Sequence, residues 1–232
     1  MSVEVCNYRL TLRGKPVGTH VIKTEEAGRV RRMEAQSLFQ GALGSSRVLQ
    51  RSRSSVGEHH SLDFREETQE RSEKRTFEVD FDADSGLVRA SKGPKDRSEI
   101  PYLRPYRDPL SMLAEVRRLG DSGATEIAML GKDVVVQFLG AVDLNTALGD
   151  KRANAYLLHP GNSVVYVDSQ APHAILKLTQ RLPDGHLDAL IVSIASEATL
   201  EGFAADDRPQ ERGSKSGRRR RGRRRQKRRG RN

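Results

Sequence analysis

The residues with the most evident chemistry crowd the end of the chain. Arg218, Arg219, Arg220, Arg221, Arg223, Arg224, Arg225, Lys227, Arg228, Arg229 and Arg231 follow one another with only Gly222, Gln226 and Gly230 between them. Such a run can neutralise many phosphates at once and release their counterions, which gives salt-sensitive, sequence-blind affinity for a polyanion. Guanidinium groups also fork onto phosphate and stack on unpaired bases. RNA is therefore expected ahead of DNA, with an acidic partner or an anionic membrane surface behind both. The run has no aromatic residue, so stacking of bases on rings is not expected of it.

A second set lies at Arg47, Arg51 and Arg53, which share one face of an expected strand. The other face carries Gln50, Ser52 and Ser54, so both faces are polar. One reading is a wet groove that holds an anion, with Arg29, Arg31 and Arg32 nearby. The reading favoured here is an edge strand guarded by charge. His59 and His60 beside Asp63 suggest metal or acid–base chemistry. On a strand, however, adjacent residues point to opposite faces, and His59 and Asp63 would lie roughly 13 Å apart at strand rise. His20, His159, His173 and His186 show no ligand spacing. Paired cysteines, HExxH, GxSxG, Walker A and a dinucleotide fingerprint are all missing from the sequence. Cys6 reads as a half-buried apolar residue. These observations favour a non-enzymatic protein with no catalytic residues, no metal and no cofactor.

The charge is unevenly divided. The 232 residues hold 41 Lys+Arg and 31 Asp+Glu, for a net charge of +10. Thirteen of the basic residues and none of the acidic ones fall between Arg212 and Asn232. The preceding 211 residues keep 28 basic against 31 acidic, a net of −3. A mildly acidic body argues against a basic nucleic-acid module in the folded part. The chain opens MSVEVCNYRL, without a basic n-region or apolar h-region, and its longest apolar runs fall far short of a membrane helix. The expected location is the cytoplasm.

The body reads mostly with period 2. Strands are expected from Cys6 to Leu12, Val17 to Ala27, Met33 to Phe39, Arg47 to Val56, His60 to Glu67, Thr76 to Phe81 and Leu87 to Ser91. Pro94, Pro101, Pro105 and Pro109 then punctuate a crossing segment. Asp108 is an expected cap, and Pro109 at the first helical position starts a helix that Leu119-Gly120 stops. Strands resume over Thr125–Leu130, Val134–Val142, Arg152–Leu158, Ser163–Val167, His173–Leu182 and Leu187–Ala195. The expected organisation is an all-β domain over 1–196, made of meanders 1–91 and 123–196 joined by 92–122. A linker at 197–217 and a disordered tail at 218–232 complete it.

Asp108-Pro109-Leu110-Ser111-Met112-Leu113, Arg117, Gly131-Lys132, Tyr156, Val164 to Asp168 and Leu176-Lys177-Leu178 together resemble the bacterial domain of unknown function 3108. The opening Tyr8, Gly14 and Val17-Gly18 hairpin is also similar to that family. The resemblance spans about 5–195. It implies a large antiparallel sheet curled into an open barrel or clam, in proteins that are typically exported and have no established activity. Two functions follow as expectations. One is a polyanion-binding protein acting through its tail. The other is a carrier of a small or lipid-like molecule in the curled sheet, with Arg47–Ser54 and the helix at Leu110–Leu119 bordering its mouth.

Overall fold

The computed structural model describes residues 2–93, 96–121, 123–183 and 185–195. The expected linker and the arginine run lie outside the described residues. Among the described residues, fourteen antiparallel strands form one sheet. The first meander is β1 (Ser2–Leu12), β2 (Lys15–Ala27), β3 (Val30–Phe39), β4 (Ser46–Ser55), β5 (Ser61–Glu70), β6 (Glu73–Asp82), β7 (Leu87–Ser91) and β8 (Arg97–Pro101). The helix α1 (Pro109–Val116) follows. The second meander is β9 (Ala124–Met129), β10 (Lys132–Thr146), β11 (Gly149–His159), β12 (Ser163–Asp168), β13 (Ile175–Leu182) and β14 (Gly185–Ala195).

The two meanders are halves of a single sheet because β1 pairs with β14, with Cys6 opposite Ile194 and Leu10 opposite Ala189. Alternation reveals strands and hairpins but not this seam, which joins the two ends of the folded chain. The sheet then runs outward to β8 on one side and β9 on the other. Two local features differ from expectation. The crossing segment contains the short strand β8, fully exposed on the sheet edge. Strand β10 also runs past Val142 to Thr146 and turns directly into β11, where a tight hairpin was hidden by the polar stretch Asp143–Asp150.

One peptide group shows how strongly the sheet curls. The Tyr106 carbonyl accepts from the Ser61 amide of β5 at 2.9 Å, while the adjoining Arg107 amide donates to Ala128 of β9 at 2.7 Å. Strands β5 and β9 are ten steps apart in the sheet order. Flat, at about 4.8 Å per step, they would be roughly 48 Å apart. A single peptide unit spans them instead. The sheet is therefore rolled and not closed by direct strand pairing, and β6–β8 continue beyond the bridge.

The rolled sheet keeps α1 on its inner face, in contact with β3 and β4. The core joins Tyr8, Leu10, Ile22 and Phe64 of the first meander to Val136, Tyr156, Val165 and Leu176 of the second. The Tyr8 hydroxyl donates to the Ile175 carbonyl, and the Tyr156 hydroxyl donates to the Leu119 carbonyl just after the helix. At Gly18, in the bulged pairing of β1 and β2, a Cβ would meet the Leu38 carbonyl oxygen at 1.9 Å. Only glycine permits that approach.

Candidate functional site

Strand β4 is an interior strand, hydrogen-bonded between β3 and β5. The expectation of a guarded edge is therefore corrected, and its polarity on both faces has a different cause. Arg51 and Arg53 point away from the helix, about half exposed, and meet acids on neighbouring strands. Arg51 binds Glu34 at 2.9 Å, and Arg53 pairs with Asp63. Both line a hollow of about 320 Å³ on the outer face, which they share with Lys23, Glu25 and Arg32. Arg47 lies on the same face, and its buried Nε has no hydrogen-bond partner among the described residues. Arg31, expected near this set, points to the opposite face.

The inner face of β4 carries Ser52 and Ser54, which are buried. Ser52 donates to the Asp108 carboxylate at 2.7 Å, and Ser61 of β5 donates to the same oxygen at 2.5 Å. The other carboxylate oxygen accepts from the Leu110 and Ser111 amides. Ser111 Oγ accepts from the Asp108 amide in return, which completes a capping box. Asp108 is thus the expected N-cap, and it also fastens the helix to two strands. Of the serines that made β4 look wet, Ser52 is a partner of a buried carboxylate, and the buried Ser54 Oγ has no hydrogen-bond partner among the described residues. With both carboxylate oxygens of Asp108 engaged by donors, this cluster fastens the helix to the strands.

The other end of α1 opens onto a pocket. Its last turn is followed by Arg117 and Arg118, which line a cavity of about 640 Å³ together with Glu4, Glu26, Arg31 and Ile194. The end of the helix borders this pocket through Ala114, Arg117 and Arg118. On the sheet side it is β3, not β4, that contributes Arg31 and Met33.

Two of the three guanidinium groups hold a carboxylate. Arg117 grips both oxygens of Glu4 at 2.7 and 3.1 Å and donates to the carbonyls of Pro172 and His173. Arg31, 6% exposed, pairs with Glu26 through Nε at 2.7 Å. Arg118 differs. It is exposed, and its side chain meets only the His59 ring at 3.0 Å among the described residues.

His59 does not lie on a strand. It sits in the turn before β5 with φ of 57°, buried to 8% exposure. Its Nδ1 faces Arg31 at 2.9 Å, and its Nε2 faces Arg118. Burial and the two flanking guanidinium charges lower its pKa. His60 turns away to Ser55 and Glu58. The two histidines are separated, and no group of three or more His, Cys, Asp or Glu among the described residues could hold a metal. Sequence reasoning passed over Arg31, His59 and Arg118 as a set.

Two further titratable groups, Cys6 and His20, are shifted by burial. Cys6 is buried rather than half-buried, and desolvation reinforced by Glu4 pushes its thiol up to about 12. It stays protonated and unreactive at neutral pH. His20 packs against Tyr8 and meets Ser37 Oγ at 2.8 Å. Desolvation lowers its pKa to about 4.

The resemblance seen in the sequence is matched by the family model described as protein of unknown function (DUF3108), over residues 7–192. The chain belongs to this family. Its Asp108 and Ser111 form the helix anchor described above, and Arg117 is the clamp onto Glu4. No curated protein matches the chain. Among solved structures it is similar to a beta-barrel-like protein of domain of unknown function DUF1849 from Brucella abortus. The two are 10% identical with a TM-score of 0.56, over 85% of this chain and 99% of that one. At that identity the likeness speaks for the fold alone. It agrees with a rolled antiparallel sheet that stops short of a closed barrel.

Proposed function

We propose that this DUF3108 chain is a non-enzymatic binding protein whose β body carries a small molecule. The observation that supports this reading is the pocket at the open end of α1. Its volume of about 640 Å³ falls in the range of small-ligand sites. Its wall mixes apolar side chains with a few fixed charges, the usual composition of a site that orients a ligand. The charges are positioned by the helix anchor at Asp108 and the Arg117–Glu4 clamp, so the pocket is preformed. The test is to extract the purified full-length protein with organic solvent and identify what it releases by mass spectrometry. A defined small molecule in near-stoichiometric amount is expected from the wild type. It should be depleted in the variant Met33→Glu, which places a charge in the apolar wall. An empty extract, or one that is unchanged in the variant, overturns the reading.

A second reading rests on a different observation, the thirteen basic and no acidic residues between Arg212 and Asn232. In this reading the tail binds RNA, ahead of DNA, without sequence preference and in competition with salt. The comparison is between the full chain and one ending at Glu211, titrated with single-stranded RNA and duplex DNA across salt. Affinity should collapse on truncation and fall steeply with salt in the full chain. Equal affinity for both chains, or no salt slope, overturns it.

A further inference from the structure

The two faces of the His59 ring environment present an inconsistency that identifies the ligand's chemistry. A guanidinium has only donors, and a neutral imidazole has one donor and one acceptor nitrogen. Yet both ring nitrogens face a guanidinium at hydrogen-bonding distance, Arg31 at 2.9 Å and Arg118 at 3.0 Å. The ring can accept from one of them only. Protonation is no remedy, because imidazolium would add a third cation to the two guanidinium groups. One N–H therefore points at another N–H.

The two arginines differ in what else they hold. Arg31 has the Glu26 carboxylate, at 2.6 and 2.7 Å. Arg118 forms no ion pair among the described residues and is the exposed member. The acceptor that this arrangement lacks is thus missing at Arg118, on the pocket side. Charge gives the same result independently. Arg31, Arg117 and Arg118 line the pocket against Glu4 and Glu26, so one positive charge is left unmatched. Around that charge the wall is apolar, with Val3, Met33, Val56, Ala114 and Ile194. Ile194 stands opposite Cys6 in the β1–β14 pairing, on the inner face of the sheet, yet remains 40% exposed. It is an inward apolar side chain that the described residues leave uncovered.

We propose that the pocket binds an amphipathic monoanion, a carboxylate head on an apolar chain, with the head on Arg118 beside His59 and the chain over Met33 and Ile194. This inference rests on the small-molecule reading above and specifies its ligand class. The head supplies the acceptor that His59 cannot give to both arginines. A monoanion matches the single unpaired cation, whereas a dianion would leave a buried excess of negative charge next to Glu4 and Glu26.

The experiment is calorimetric titration of the full-length protein with decanoate and, separately, with decanol, which has the same chain and no charge. Decanoate should bind at least tenfold more tightly than decanol. Arg118→Gln should weaken decanoate at least tenfold and leave decanol unchanged. Arg118 is exposed and closes no ion pair among the described residues, so the variant should keep the wild-type melting temperature. Ile194→Asp, also at an exposed position, should weaken both ligands at least fivefold. Equal affinity for decanoate and decanol, or no effect of Arg118→Gln, overturns the inference. An unaffected Ile194→Asp variant does so as well, by placing the chain elsewhere. Failure of decanoate to bind overturns the ligand class alone. The carrier reading keeps its own readout, the solvent extract, which names whatever molecule the pocket holds.

Discussion

The inner faces of the two halves of the sheet are built on different principles. Along β11 to β13 the buried side chains are nearly all apolar, among them Tyr156, Leu158, Val165, Val167, Ile175 and Leu176, a largely dry surface whose buried acid, Asp168 at the end of β12, is paired with Lys151. Along β3 to β5 the buried set includes Arg31, Ser52, Ser54 and Ser61, and the cohesion comes from a carboxylate, hydroxyls and a capped helix end. The helix explains the difference. An N-terminus leaves amide groups that need acceptors, and once Asp108 is buried to supply them, the strands beneath must donate to Asp108. The dry half has no such obligation. The polar half also meets the pocket, where an imidazole and two guanidinium groups are left with one acceptor too few. The pocket draws its fixed charges from β1 to β3 and from the end of the helix, and its apolar wall from both halves.

The contrast can be broken most strongly in the dry half. Leu176 is fully buried in β13. Leu176→Ala should cost roughly 2–5 kcal/mol, because lost transfer energy and an unfilled cavity add. Urea unfolding at pH 7 reads this directly, and a loss under about 1 kcal/mol would show that the dry half is not tightly packed.

The polar half should instead reveal itself through acid. His20, on β2, titrates near 4 in the folded protein against 6.5 when unfolded, because its ring is desolvated against Tyr8. The unfolded chain therefore takes up the proton first. The stability contributed by the neutral ring is complete above pH 6.5 and is lost as the pH falls through 6.5 towards 4. The full loss is about 3 kcal/mol. His20→Gln keeps a partner for Ser37 and removes the titration. Between pH 7 and pH 4 the wild type should lose about 3 kcal/mol more than the variant, and parallel pH profiles would contradict the assignment.

The smallest effect concerns the anchor. Asp108→Ala removes a helix cap, worth about 1 kcal/mol, and leaves Ser52 and Ser61 without their acceptor. A loss of about 2 kcal/mol is expected after water re-enters the site. Asp108→Asn keeps one acceptor oxygen and should recover part of it. A neutral Asp108→Ala variant would mean that the polar half is not held by this carboxylate.

Much of the fold was legible along the chain. Alternation in segments such as Phe77–Phe81 and Val134–Val142 marks strands because side chains on a strand repeat every two residues. Asp108-Pro109 marks a helix start because the cap and the ring each suit one position. Strand β8 was hidden by prolines, and the Thr146–Gly149 hairpin by polar flanks. The pocket was hardly legible at all. Arg31, His59 and Arg118 lie on a strand, in a turn and after a helix, and no spacing rule links them. His59 was read as a strand residue, whereas its positive φ turns the ring towards Arg31 and Arg118.

The sequence by itself determined the antiparallel β class, the single capped helix, the division of charge between body and tail, and the family. These are local or compositional properties, set by period, cap chemistry and residue counts. Only the tertiary structure decided that β1 joins β14, that one peptide group spans β5 and β9, and that Ser52 of β4 and Ser61 of β5 meet one carboxylate. It also decided that two arginines compete for one histidine. Each of these depends on contacts between distant segments, which form only when the sheet rolls, and rolling is a property of the whole sheet that no stretch of residues encodes alone.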